Sequence, residues 1–385
     1  MSGIYIHIPF CVKKCSYCNF FSSTNLSQKD SYLQALCKEM ELRADYLGEN
    51  PVHTLYFGGG TPSILTPQEL ESLISHAEKI FGFHSDIEIT LEANPNNLNE
   101  EYFKQLADTS VNRLSIGIQS FFDENLQILG RIHTARQAEN CIELANKYNF
   151  SNLSIDLMYG YPQLTTEQWQ ASLQKVKDIP HLSCYSLSLE SNSVLYKQVQ
   201  NGLLQLPDEE QIIEQYSLLS IFAKNNQFIH YETSNFCKSG CFSKHNTAYW
   251  QDKAYIGLGC AAHSFNRESR QWNFSDIDNY IQQITSIHTE DDWIQKAENV
   301  LFEQEELTQS MRVNEYVMTS LRTIWGCDLQ YVENHFSKQH RAELEQKLTF
   351  ISSVYYFIKD EKVILTEEGS LFADAIASEL FYGNL

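Results

Sequence analysis

The sequence predicts an α/β protein: a partial, TIM-like (β/α)6 barrel over residues 1–225 with a small helical, winged-helix-like unit at the C-terminal end. Three observations predict it. Six short β-rich runs alternate with amphipathic helical stretches up to about residue 225. Successive β/α units imply parallel strands, because parallel neighbours need helical crossovers. Near residue 285 the alternation gives way to helical patterns.

The strand runs are Ile4 to Ile8, His53 to Phe57, Ile87 to Glu92, Arg113 to Ile118, Leu153 to Met158 and Cys184 to Leu189. Six units do not close an eight-stranded barrel, so an open one is expected, with ligand loops at the carboxyl ends of its strands. After the first run, Leu33, Leu36, Cys37, Met40, Ala44 and Leu47 recur at three- and four-residue steps and form one apolar helical stripe. Thr66-Pro67-Gln68-Glu69 is a capping box with proline at the first helical position, and Thr165 with Gln168 repeats the box. Residues 226–285 are expected to cap the barrel, and residues 286–385 to form the last unit. There, Asn314 to Trp325 reads as a helix stopped by Gly326, Val363 to Thr366 as a β-wing, and Glu368 to Leu380 as an amphipathic helix.

Composition narrows the function. With 28 basic against 49 acidic residues the net charge is −21, and no cluster of five or more Lys/Arg appears. Phosphate binding needs a basic surface, so nucleic acid is not an expected partner, even with a wing. The first residues, MSGIYIHIPF, lack a basic n-region, a long apolar core and a small-residue cleavage site. No apolar run is long enough to span a bilayer. A cytoplasmic protein is expected, with membrane contact only through a partner. Its ten cysteines are then thiols and metal ligands rather than disulfides.

Cys11-x3-Cys15-x2-Cys18 follows the first strand directly. Three thiolates packed this closely can each ligate one iron of a 4Fe-4S cubane and leave the fourth iron open. The vacancy suits the amino and carboxylate groups of S-adenosylmethionine, whose reductive cleavage yields a carbon radical while the protein supplies position and shielding. The alternatives are a zinc site, which usually takes a fourth Cys or His, and buried structural cysteines.

The run HIPFCVKKCSYCNF, followed in order by FGGGTPS, LEANP, SIGIQSF, LGRIH and DLMYGYP, resembles the oxygen-independent coproporphyrinogen III oxidase family of radical S-adenosylmethionine proteins over nearly the whole chain. The glycine run lets backbone approach a ligand closely, and the resemblance implies that Gly59, Gly60 and Thr61 hold the methionine amino group. It implies further that Tyr17 packs over the adenine and that Tyr5, Glu92, Gln119, Arg131 and Asp156 complete the polar shell. In that shell Arg131 pairs with the carboxylate and Asp156 accepts from the ribose hydroxyls. Glu190 is a further candidate for the same pocket.

Two features depart from the oxidase branch. Asn19 and Phe20 follow Cys18 where that branch has a fourth cysteine two residues on, and the chain starts almost on its first strand. Both match the shorter HemW-type branch of haem chaperones, as does His245-Asn246-Thr247-Ala248-Tyr249-Trp250. The resemblance implies haem as ligand, an apo-haem protein of the respiratory chain as acceptor, and an electron donor for the cluster. The imidazole of His245 can ligate haem iron beside two large aromatics; Cys237, Cys241 and Tyr249 are alternatives, and His263 reads as structural. Coproporphyrinogen III dehydrogenation is the rival reading.

Overall fold

In the computed structural model, which describes residues 2–287 and 301–383, six parallel strands stand side by side in chain order. They are β1 (Ser2–Ile8), β2 (Val52–Gly59), β3 (Phe83–Ala93), β4 (Arg113–Gln119), β5 (Leu153–Tyr159) and β6 (His181–Ser186). β4, near the middle, is buried along its whole length, as expected when both faces of a parallel sheet are covered. The helices between the strands start where their caps stand. Thr66 and Glu69 satisfy each other's backbone N–H groups at the head of Pro67–Phe81, and Thr165 and Gln168 do so before Thr166–Lys175. The first helix runs over Lys29–Leu42 and buries Tyr32, Ala35, Leu36 and Met40; of the predicted stripe, Leu36, Met40 and Leu47 lie in the core, Leu33 and Cys37 pack half-buried against it, and Ala44 lies past the helix end.

The sixth strand departs from expectation. It spans His181–Ser186, because β5 pairs with it along that whole stretch and an antiparallel strand covers its other edge from His181 to Ser183. Beyond Ser186 the chain leaves the sheet, and Glu190 is exposed in the following loop rather than at a strand end.

Residues 226–285 lengthen the sheet at both edges instead of only covering it. β7 (Ile229–His230) and β8 (Asn235–Cys237) add beside β6, whereas β9 (Tyr255–Leu258) pairs in parallel with β1. β10 (His263–Phe265), β11 (Ser269–Asn273) and β12 (Phe302–Glu306) follow as antiparallel neighbours, completing a 12-stranded sheet. Since β12 belongs to this sheet, the separate C-terminal core begins with the helix Gln309–Leu321 rather than at residue 286.

Glu39 locks the β9 edge to the first helix. Its carboxylate is buried and accepts from Arg43, the Gly259 N–H, Asn273 and Tyr280 at 2.6–3.2 Å. A buried carboxylate is tolerable only with such company.

The C-terminal unit packs Val313, Val317, Val332, Leu344, Val363 and Ile376 into a second core. Its helices surround a small sheet of β13 (Cys327–Asp328), β14 (Tyr356–Lys359) and β15 (Lys362–Leu365), in the order β13-β15-β14. Gly326, at φ 67°, lies between the helix Gln309–Leu321 and β13. The last predicted helix divides into Glu367–Ser370 and Ala373–Glu379, with Phe372 turned onto Tyr355 at 5.5 Å between ring centres.

Candidate functional site

The carboxyl ends of β1 to β4 meet around the cysteine loop. Cys11 is buried, and Cys15 and Cys18 are half-buried. The loop is tied at three places: Cys11 N–H to Ser23 O (2.9 Å), Ser16 N–H to Leu129 O (3.1 Å), and Leu195 N–H to Ser16 O (2.8 Å). Burial raises the Cys18 thiol pKa, and Cys15 and Cys11 beside it add to the rise.

Among the described residues no three His, Cys, Asp or Glu side chains converge as ligands of a single ion. A cubane would take each thiolate on its own iron. Two further groups reach the sulfurs: Thr61 Oγ1 lies 3.4 Å from Cys11 Sγ, and Arg131 Nη1 lies 3.4 Å from Cys15 Sγ. Hydrogen bonds from such groups stabilise negative sulfur and tune a cluster held on it.

Arg131 is the hub of this end. Its Nη2 donates to Asn94 Oδ1 (2.5 Å) and to the carbonyl of Gly117, and Tyr17 contacts the same guanidinium. Asn94 also donates to Thr61 Oγ1 (3.1 Å). Asn94 was not among the residues expected from sequence, although it stands two positions beyond Glu92 in LEANP.

The glycine run packs β2 against β1. Gly59 has φ 105°, and a Cβ there would lie 2.6 Å from the His7 ring; a Cβ on Gly60 would lie 2.8 Å from Phe10 O. Any side chain would push the cysteine loop outward. Gly59 and Gly60 are nonetheless only half-buried, so their backbone faces the mouth.

Gln119 ends β4 at φ 69°, a left-handed conformation that costs a non-glycine residue free energy. Its Oε1 is buried without a hydrogen-bond partner. Strain and an orphaned acceptor at one strand end suit a site that holds a ligand with donor groups.

Deeper in the barrel, Tyr56 donates to Glu92 Oε1 at 2.7 Å and Ser115 to Asp156 Oδ1 at 3.1 Å. Burial pushes the Glu92 carboxyl up to about 7, with Asp156 adding to the rise, and burial likewise raises Asp156. Tyr5 lies over Tyr56 with ring centres 6.1 Å apart. The structure thus gathers Cys11, Cys15, Cys18, Tyr17, Thr61, Gln119 and Arg131 at the mouth, with Tyr5, Glu92 and Asp156 on the inner wall.

His245 lies elsewhere. Its helix, Lys244–Trp250, plugs the amino ends of β1 to β3, opposite the cysteine loop. Its imidazole is buried and stacked on Tyr56 at 4.9 Å, with Nδ1 on Thr54 Oγ1 and Nε2 on Tyr249 OH, both 2.8 Å. Burial, with Arg113 adding to it, lowers its pKa to about 3. Both ring nitrogens are thus engaged by hydroxyl partners, because the motif's helix faces inward.

Tyr249 is 36% exposed and fronts a cavity of about 250 Å³ against the C-terminal unit, with walls that include Tyr255, Phe265, Arg270, Glu315 and Met318. Cys237 is buried in β8 and Cys241 is half-buried. The His263 side chain is exposed and stacks on Trp272. No helix among the described residues is long and apolar enough to cross a membrane.

The family model of the radical SAM superfamily matches residues 5–176. The chain is 32% identical to the protein named heme chaperone HemW of Lactococcus lactis, over 96% of this chain and 94% of that one. It is 38% identical to the HemW of Bacillus subtilis over 74% and 76% of the two chains. The solved structure of coproporphyrinogen III oxidase (HemN) from Escherichia coli superposes with a TM-score of 0.83 at 21% identity, over 99% of this chain and 90% of that one. That likeness establishes the shared fold, a partial barrel with a C-terminal helical unit, and the near end-to-end match to HemW establishes the branch. The chain belongs to the HemW-like radical SAM proteins of the coproporphyrinogen III oxidase family.

Proposed function

We propose that the protein is a haem chaperone: it holds a 4Fe-4S cluster on Cys11, Cys15 and Cys18, binds S-adenosylmethionine beside it, and passes haem to an apo-haem protein of the respiratory chain. Family membership implies the cluster and S-adenosylmethionine, and the names of the HemW relatives suggest haem. The observation that carries the cofactor site is the pinned loop of three thiols beside the unpaired Oε1 of Gln119. When bound, cluster and S-adenosylmethionine together supply one-electron chemistry.

The chain's own residues would divide the remaining work. Arg131 offers positive charge to a carboxylate and steadies Cys15. Gly59 and Gly60 present backbone, and Gln119 offers an acceptor to an ammonium or hydroxyl. Asp156 accepts from ribose hydroxyls, and Glu92, whose raised pKa lies near neutrality, holds or yields a proton beside Tyr56. Tyr5 and Tyr17 exclude water. Beside His245, the aromatic cavity fronted by Tyr249 is a second place for haem: its aromatic walls suit a porphyrin face, and Arg270, now paired with Glu315 at 2.9 Å, could exchange that partner for a propionate.

The rival reading is radical decarboxylation of coproporphyrinogen III propionates. Phe20, 69% exposed where the oxidase branch has its fourth cysteine, speaks against it. Anaerobic reconstitution followed by haem titration, with and without S-adenosylmethionine, tests the proposal. Saturable haem binding is expected, without turnover of coproporphyrinogen under reducing conditions. Protoporphyrinogen formed at catalytic turnover would replace the chaperone reading, and absence of haem binding would remove it.

A further inference from the structure

The C-terminal hairpin leaves one backbone edge unpaired. Among the described residues β14 has β15 as its sole neighbour, in the register Tyr356 to Leu365 through Lys359 to Lys362. The turn between them is Asp360-Glu361, both left-handed at φ 50° and 61°, the conformation of a tight two-residue hairpin. Tyr355 O accepts from Thr366 N–H at 3.0 Å. Antiparallel alternation then points the N–H and C=O of Phe357 and Lys359 toward β15, and those of Tyr356 and Ile358 toward the open edge; the Tyr355 N–H is taken by Ser352 O at 3.0 Å.

The other sheet edges are guarded. β12 ends the large sheet with Glu303, Gln304, Glu305 and Glu306, all exposed, while β7 and β13 are two residues long. Charge and brevity are the usual means of preventing edge pairing. β14 has neither over its middle: Phe357 is 46% exposed and Ile358 54%. Val354 (61%) leads into the strand, and Phe372 (51%), preceded by the exposed Leu371 (63%), stands beside Tyr355. Clustered exposed apolar side chains mark interaction sites.

Charge selects the occupant. Between residues 350 and 372 four acids, Asp360, Glu361, Glu367 and Glu368, face two lysines, Lys359 and Lys362. Glu361 pairs with Arg341, whereas Asp360, Glu367 and Glu368 have no ion-pair partner among the described residues. A second copy would bring the same acidic hairpin against itself. We propose that β14 is a docking edge for an extended segment of a partner protein that alternates apolar and basic residues and adds as a further strand. Main-chain hydrogen bonds from Tyr356 and Ile358 would supply affinity, and the apolar flank and acidic rim specificity. The proposal is independent of the haem reading.

The test uses the full chain and a capped decapeptide of alternating valine and lysine, with a valine–glutamate decapeptide as comparison. The lysine peptide is expected to bind at least tenfold more tightly and to slow amide exchange at Tyr356 and Ile358, as read by NMR. Ile358→Pro removes a donor on the open side of the edge, where proline is tolerated, and should weaken binding at least tenfold. Phe357→Lys leaves the backbone ladder intact and should weaken it similarly with an unchanged melting temperature. Equal binding of the two peptides, protection at other amides, or unaltered affinity in both variants would overturn the proposal. So would a peptide-free dimer protected at Tyr356 and Ile358, which would assign the edge to a second copy.

Discussion

Thr54 and His245, 191 positions apart, share a buried hydrogen bond of 2.8 Å that fastens the HNxxYW helix to the floor of the barrel. The second ring nitrogen is held by Tyr249, and the His245 N–H donates to Glu88 at 3.1 Å. The motif is therefore built into the barrel, with Tyr249 as its outward-facing member.

Replacing His245 with alanine should lower the unfolding free energy by about 2–4 kcal/mol, through lost packing and two stranded hydroxyl partners. Urea denaturation of the apo-protein measures it. A changed haem spectrum with unchanged stability would instead return His245 to the role of ligand.

The same imidazole should make stability fall with acid. Its folded pKa is near 3 against an ordinary 6.5, so between those values the unfolded chain binds the extra proton. The loss begins as pH falls below about 6.5 and is complete near 3. His245→Asn should flatten this acid limb, which melting temperatures from pH 7 to pH 4 would show.

Glu92 has the opposite sign. Its folded carboxyl titrates near 7 rather than 4.5, so the native state keeps a proton that the unfolded chain gives up, and stability falls as pH rises through that window. Glu92→Gln should stabilise the apo-protein at pH 8 by on the order of 2 kcal/mol, with the gain vanishing below about pH 4.5. It should also weaken S-adenosylmethionine binding, measured by calorimetry on reconstituted protein.

Gln119→Gly should separate strain from function. Glycine relieves the left-handed backbone and should leave the apo-protein as stable or up to about 1 kcal/mol more stable. Loss of the unpaired acceptor should at the same time reduce S-adenosylmethionine affinity by about tenfold. Unchanged affinity would mean that Gln119 does not face the cofactor.

Cys15→Ala should abolish the iron–sulfur absorption and the cleavage of S-adenosylmethionine under anaerobic reduction. Tyr249→Phe should leave both intact while altering haem affinity or its absorption spectrum. A haem titration unaffected by Tyr249→Phe and by Arg270→Ala would place haem away from that cavity.

The barrel was legible because its signals are local. Alternating strand and helix patterns, two capping boxes and the Cys11–Cys18 spacing need only a few consecutive residues. The errors arose where distant residues decide. The sixth strand is fixed by Asn235–Cys237 pairing with His181–Ser183, which the run Cys184 to Leu189 cannot reveal. β12 reads as an acidic stretch and becomes a strand only because Ser269–Asn273 lies beside it. Likewise, the sequence presents His245 as an available imidazole, and Thr54, Tyr56 and Glu88 enclose it only once the barrel is formed. Asn94 had a signal, the two-residue step from Glu92 that places it near the same strand end.

The position of β1 sets the order in which the molecule can be completed. Val52–Gly59 can cover one side of β1 soon after synthesis begins, but the other side receives Tyr255–Leu258, encoded some two-thirds of the way along the chain. Until the ribosome has released that segment, the strand leading into the cysteine loop has one bare, apolar edge and no floor beneath it. Long-range pairing of this kind is slow and exposed to misassembly. Loading of the proposed cluster would thereby wait for the first two-thirds of the polypeptide: a nascent chain halted before Tyr255 should hold its three thiols too loosely to keep iron.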